Sequence, residues 1–110
     1  MKLNEENKLH IKEQALKEAP NECCGLIIDD GRQLKIIKCK NNSNNKREHF
    51  EISSSDFLSA SREGKIMGYY HSHTEENQDF SYVDKAISSA HKLPLVMYFI
   101  KGDEFFYHLP

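Results

Sequence analysis

The sequence predicts an α/β fold with three layers, a mixed sheet flanked by helices, from three observations. A helix-forming stretch opens the chain, apolar strand-like runs then alternate with segments of helical period, and the breaks between them are polar turns. At 110 residues the chain is expected to form one domain, residues 1–110, burying about 65% of its unfolded surface.

From about Asn4 to Ala19 the residues favour a helix, with Leu9, Ile11, Ala15, Leu16 and Ala19 on a broad apolar face and Pro20 as its stop. Cys23 to Ile28 is a continuous apolar run, the DDGR turn follows, and QLKIIKCK alternates, which together read as a hairpin with a more buried first strand. NNSNNKRE is a polar loop read as a solvated connection. HFEIS alternates like a strand, and SSSDFLSASREG reads as a short capped helix ending at Gly64. KIMGYYH is apolar enough for a central strand. Val83, Ala86, Ile87 and Ala90 give SYVDKAISSAHK a helical period, LPLVMYFI reads as a second buried strand, and GDE turns into a last strand, EFFYHL.

Charge narrows the partners. Fifteen basic and 17 acidic residues nearly cancel, so neither a nucleic acid nor an anionic membrane is expected as the main partner. No apolar run approaches the roughly 20 residues of a membrane helix, and MKLNEENKLHIKEQ lacks the apolar core of a secretory signal, so a cytoplasmic setting is expected. Cys23, Cys24 and Cys39 are odd in number and lack CxxC spacing, which predicts reduced thiols.

The chemistry-bearing stretch is HSHTEENQDFSYVD, His71 to Asp84. On a strand, His71 and His73 project from one face with Ser72 turned away, so one strand end can offer two imidazoles to one metal. Zinc in a catalytic site needs a third protein ligand. Asp84, in the first turn of the next helix, is the candidate, and seven loop residues between His73 and Ser81 are enough to fold that helix start back over the strand end. Taken alone, however, Ser81-Tyr82-Val83-Asp84 reads first as a capping box. An isolated HSH at a strand end is as readily a surface pair.

Two motifs together resemble the JAMM metalloproteases, the catalytically competent MPN-type domains. HSHTEENQDFSYVD has that family's spacing of His-x-His, seven residues, Ser, two residues, Asp, and PNECCGLI is similar to the first-strand motif of its compact bacterial and phage members. The resemblance covers essentially the whole chain and implies the family's cytidine-deaminase-like sheet. It also implies Zn²⁺ bound by His71, His73 and Asp84, Glu22 as the base that takes a proton from water on the zinc, and Ser81 as a donor to the oxyanion. A glutamate at the edge of a buried strand suits that role, because partial desolvation raises a carboxyl's pKa. Two positions depart from the family pattern: Thr74 stands where proline usually follows the second histidine, and Phe80 where proline often precedes the serine. Without the proline, His73 and its loop are expected to be freer.

The resemblance implies hydrolysis of a peptide or isopeptide bond in a protein or peptide substrate. Members act next to the C-terminal tails of ubiquitin-like proteins or sulfur carriers, and phage members occur as tail-assembly proteins, often fused to a cysteine-peptidase domain that these 110 residues are not expected to hold. A phage or prophage setting is the expectation. Two other readings stand beside it: a cysteine hydrolase using Cys23 or Cys24, and a non-catalytic MPN-like scaffold. His10, His49, His91 and His108 lie outside any ligand spacing and read as structural or surface residues, while Tyr69 or Tyr70 could line a substrate channel.

Overall fold

The computed structural model describes Met1–Pro110. Its elements are α1 (Glu5–Glu18), β1 (Cys24–Asp29), β2 (Leu34–Cys39), α2 (Ser54–Ser61), β3 (Lys65–His73), α3 (Tyr82–His91), β4 (Leu95–Phe99) and β5 (Glu104–His108). The five strands form one sheet in the order β2-β1-β3-β4-β5. Only β3 and β4 run parallel, joined across α3, so the sheet is mixed as the sequence predicts.

Alternation along the strands builds two cores. Cys23, Ile27, Tyr70, Val96 and Tyr98 pack with Ile11 and Ala15 of α1 on one face. Cys24, Leu26, Ile28, Tyr69 and Leu95 pack on the other, against Ala60 and Phe57 of α2 and Ile87 of α3. The result is the α/β/α sandwich, with α1 alone on one side. At the β1–β2 turn, Asp30 Oδ1 accepts from the N–H groups of Arg32 and Gln33, and Gly31 supplies the positive φ of 96° between them.

Three expectations need correction. The buried stripe of α1 is Asn7, Ile11, Gln14 and Ala15, whereas Leu9 and Leu16 are exposed. Two polar side chains displace the leucines because each finds a specific partner: Asn7 Nδ2 donates to the Leu34 carbonyl, and Gln14 bridges two strands. HFEIS is not a strand. Its Phe50 is buried and its Glu51 exposed, as alternation requires, but Glu51 N–H donates to Asn41 Oδ1 and Glu51 C=O accepts from Asn42 N–H, and no ladder continues from there. The Asn-rich loop is also more than a solvated connection, because Asn41 and Ser43 are buried.

Candidate metal centre

His71 and His73 end β3, so their shared phase on the strand puts both imidazoles on the face covered by α2 and α3. Both are buried, and His71 stacks on Phe50 at 4.8 Å between ring centroids. Each ring is oriented by a backbone carbonyl. His71 Nδ1 lies 3.1 Å from the Val96 oxygen and His73 Nδ1 lies 3.2 Å from the Asn77 oxygen, so each Nδ1 carries the proton and each Nε2 presents a lone pair.

Those two Nε2 atoms are 3.1 Å apart, and Asp84 Oδ2 lies 3.1 Å from the first and 3.2 Å from the second. Asp84 reaches them because Ser81 starts α3: Ser81 Oγ accepts from Asp84 N–H at 3.0 Å, and Asp84 Oδ2 accepts from Ser81 N–H at 2.9 Å. The capping box and the convergence on the histidines are therefore one arrangement, and the two readings of that quartet do not compete.

Glu22 approaches the same point from the other side of β3. β1 pairs Cys24 with His71, which brings the residues just before β1 alongside the strand end. Glu22 Oε2 is 3.8 Å from His73 Nε2, and Oε1 is buried without a partner. One oxygen of Glu22 and the ring nitrogens of His71 and His73 lie within 4.8 Å of one another, a buried set that could hold a metal ion. Asp84 Oδ2 is nearer to both rings than Glu22 is, so Asp84 makes the tighter third corner and Glu22 stands outside it.

The donor chemistry suits a cation. With both Nδ1 protons committed to carbonyls, the point of convergence holds two imidazole lone pairs and a carboxylate oxygen, with no proton between them. Their 3.1 to 3.2 Å separations are close to the roughly 3.4 Å expected between ligands of tetrahedral zinc. Electrostatics follow from burial. Desolvation lowers His71 and keeps it neutral, while the Asp84 carboxylate opposes that shift. Burial alone would raise Asp84, but the imidazoles of His71 and His73 beside it and the Ser81 N–H outweigh it and hold that carboxyl below its usual range. Glu22 has no such donors. Burial pushes it up to about 9, with the charges of Asp84 and Glu48 adding to the effect.

The centre opens into a cleft of about 310 Å³ lined by Glu22, Arg47, Glu48, His49, His73, Thr74, Glu75, Asn77 and Ser81, none of them hydrophobic. A second cavity of about 350 Å³, between α2 and α3, is lined by Phe50, Ile52, Phe57, Tyr69, Ile87 and His91 among others, so Tyr69 does line a cavity while Tyr70 is core. All five sequence-predicted site residues are thus gathered in one place, and Ser81 lines the cleft with Glu22. His49 was missed. It has no ligand spacing, but the 41–53 loop folds it into the cleft wall with its Nδ1 buried and unpartnered. Only the proximity of HF to the predicted loop end could have hinted at this. His10 meets Glu6 on the surface, and His91 and His108 pack against Tyr69 and Phe80.

A histidine pair at the carboxyl end of a parallel strand, with an acid from the next helix and a glutamate before the first strand, on an α/β/α sheet, defines a JAB-type domain. A family model described as prokaryotic homologs of the JAB domain, Prok-JAB, matches residues 5–108, and the chain belongs to that family. It is 34% identical over 84 residues to the tail tip assembly protein K of Escherichia phage N15. That alignment covers 76% of this chain and 35% of the relative, so the chain spans about a third of that protein's length. The fold is similar to that of a Desulfitobacterium hafniense protein solved in solution, with a TM-score of 0.76 at 20% identity, covering 94% of this chain and 78% of that one. No helix is long and apolar enough to cross a membrane.

Proposed function

We propose that residues 1–110 act as one zinc-dependent peptidase or isopeptidase domain, hydrolysing an amide bond in a protein or peptide. The observation that carries this reading is the convergence of His71 Nε2, His73 Nε2 and Asp84 Oδ2 beside a buried, untethered Glu22 at the floor of a polar cleft. His71, His73 and Asp84 would hold Zn²⁺, which when bound lowers the pKa of a coordinated water toward 7 and polarises a carbonyl.

The chain's own groups supply the rest. Glu22 Oε1, without a hydrogen bond in the fold, is the acceptor for a proton from water and then its donor to the leaving amine. A cation at the adjacent cluster favours the ionised form of Glu22, drawing its pKa back down from about 9 and into the working range of a base. Ser81 Oγ already accepts from Asp84 N–H, which leaves its own hydrogen free to donate to an oxygen where negative charge develops.

Peptide backbone is the substrate chemistry the surroundings favour. The cleft offers polar groups only. In the segment that continues from His49 of the cleft wall into the lining of the second cavity, Glu51 pairs with residues 41 and 42, while the N–H and C=O groups of Phe50 and Ile52 make no hydrogen bond within the chain, the pattern of a half-paired strand edge that an extended segment can join. A flexible C-terminal tail of a ubiquitin-like or sulfur-carrier protein fits that description. The similarity to a phage tail tip assembly protein supports a role in phage tail assembly, within a phage or prophage setting, and we place that role in the cytoplasm.

Metal analysis of the purified protein is expected to find close to one zinc per chain. Glu22→Gln should keep that zinc and lower hydrolysis of a fluorogenic peptide amide ending in Gly-Gly by at least about 100-fold. A chain that takes up no metal, or a Glu22→Gln variant as active as the wild type, sinks the mechanism.

A further inference from the structure

Glu22 lies in irregular chain between the end of α1 at Glu18 and the start of β1 at Cys24. No protein donor tethers its carboxylate: Oε1 has no partner, and Oε2 is 3.8 Å from His73 Nε2. Such a side chain takes its position from its backbone. Downstream that backbone is held firmly, since Cys23 N–H donates to Ser72 Oγ at 2.8 Å and Cys23 C=O accepts from Ser72 N–H at 3.2 Å. Glu22 itself donates its N–H to the Lys46 carbonyl, and its C=O accepts from Asn41 Nδ2. Upstream, one hydrogen bond ties the segment to the end of β3: Thr74 Oγ1 donates to the Pro20 carbonyl at 2.9 Å, across 54 positions of sequence.

Ser72 and Thr74 alternate with His71 and His73. One strand end therefore directs two imidazoles to the metal centre and two hydroxyls to the segment carrying Glu22, which they bracket at Cys23 and Pro20. We propose that the Thr74 hydroxyl is a positioning residue for Glu22, fixing the Pro20–Glu22 segment in register with His73. The inference rests on the reading of Glu22 as the base. Threonine here does by a side-chain bond what a proline at the same position does by stiffening its own backbone. Misplacing a reacting group by about 1 Å costs on the order of 100-fold in rate, and losing one of several ties should cost about tenfold.

The test compares zinc-loaded wild type with Thr74→Val, which keeps the shape without the donor, and Thr74→Ser, which restores the donor. On the fluorogenic Gly-Gly amide, Thr74→Val should lower kcat about tenfold with KM within about twofold, and Thr74→Ser should restore it. Zinc affinity by chelator competition should be the same in all three. Amide hydrogen exchange at Glu22 and Cys23, read without any turnover, should be about tenfold faster in Thr74→Val and normal in Thr74→Ser. Wild-type kcat and exchange in Thr74→Val, loss of zinc together with turnover, or a serine variant that behaves like valine would each overturn the proposal. If the wild type hydrolyses no amide, the peptidase reading fails, and the exchange comparison alone then decides this inference, with unchanged protection overturning it.

Discussion

Tyr70 and His71 are consecutive, fully buried and polar, yet they open onto two regions of opposite character. On the α1 face, the Tyr70 hydroxyl donates to Gln14 Oε1 and Gln14 Nε2 donates to the Cys24 carbonyl at 3.0 Å, so donors and acceptors are matched. On the α2/α3 face, two ring nitrogens and two carboxylates converge with too few protons among them, and Glu22 Oε1 and His49 Nδ1 have no partner at all. Polar burial alone therefore does not mark a site. A balanced set fixes the fold, whereas an excess of acceptors implies a cation, a proton or a substrate that the chain itself does not supply.

The sharpest way to break that comparison is to titrate the imbalanced side without metal. The Glu22 carboxyl is raised to about 9 from an ordinary value of 4.5, so the folded state holds its proton more tightly than the unfolded state does. Its stabilising contribution is complete below the unfolded value and is lost as pH rises toward the folded one. Metal-free protein should lose roughly 2 to 3 kcal/mol between pH 5.5 and 7.5 relative to Glu22→Gln, because each pH unit in that window carries about 1.4 kcal/mol. Zinc should flatten the difference by favouring the carboxylate. Parallel denaturant midpoints for the two proteins across this range would show that Glu22 is an ordinary exposed acid and the imbalance illusory.

The balanced side should respond in the opposite sense. Gln14→Ala leaves the Tyr70 hydroxyl buried without its partner and takes the side-chain donor away from the Cys24 carbonyl, which should cost about 1 to 3 kcal/mol of stability at any pH between 5 and 8. Zinc stoichiometry should not change, since α1 contributes no group to the centre. Calorimetry beside metal analysis makes this check, and loss of zinc in Gln14→Ala would mean that the two faces are one coupled network.

The sequence made the second face more legible than the first. His71, His73, Asp84, Ser81 and Glu22 carry their chemistry in residue type and spacing, and the alternating sheet delivers all five to one end of β3. The sandwich was legible too, because apolar runs and helical periods report burial directly. Gln14 was not. A hydrophobic stripe counted Leu9 and Leu16 inward, whereas α1 turns Asn7 and Gln14 to the core to meet a carbonyl and a phenol set by residues 27 and 56 positions away. The 41–53 loop failed for a related reason: Asn41 donates to the Glu22 and His49 carbonyls and accepts from Ser43 and Glu51, and nothing in a run of asparagines distinguishes that hub from a solvated turn. HFEIS alternates as a strand does, but alternation reports faces and not whether a neighbouring strand exists. Thr74, a departure from the family proline, was expected to loosen the strand end and instead ties it to Pro20.

The smallest expected effect separates the metal centre from a thiol centre. Cys23 and Cys24 lie beside Glu22 in sequence but are fully enclosed, and a nucleophilic cysteine needs a thiolate. Burial raises Cys23 to about 12 despite a hydrogen bond with Ser72, and burial raises Cys24 further, with Cys39 beside it adding to the shift. Neither thiol has a histidine as a hydrogen-bond partner: Cys23 N–H is held by Ser72, and Cys24 Sγ faces the Cys39 carbonyl. At pH 8 both therefore remain protonated and out of reach, so iodoacetamide should modify only the half-buried Cys39, if any thiol, and leave hydrolysis within about twofold of its starting rate. A chelator under the same conditions should remove nearly all of it, with zinc restoring it. Hydrolysis lost to the alkylating reagent and kept in the chelator would move the reaction from the acceptor-rich end of β3 to the thiols of β1, and the contrast between the two faces would have to be redrawn around Cys23.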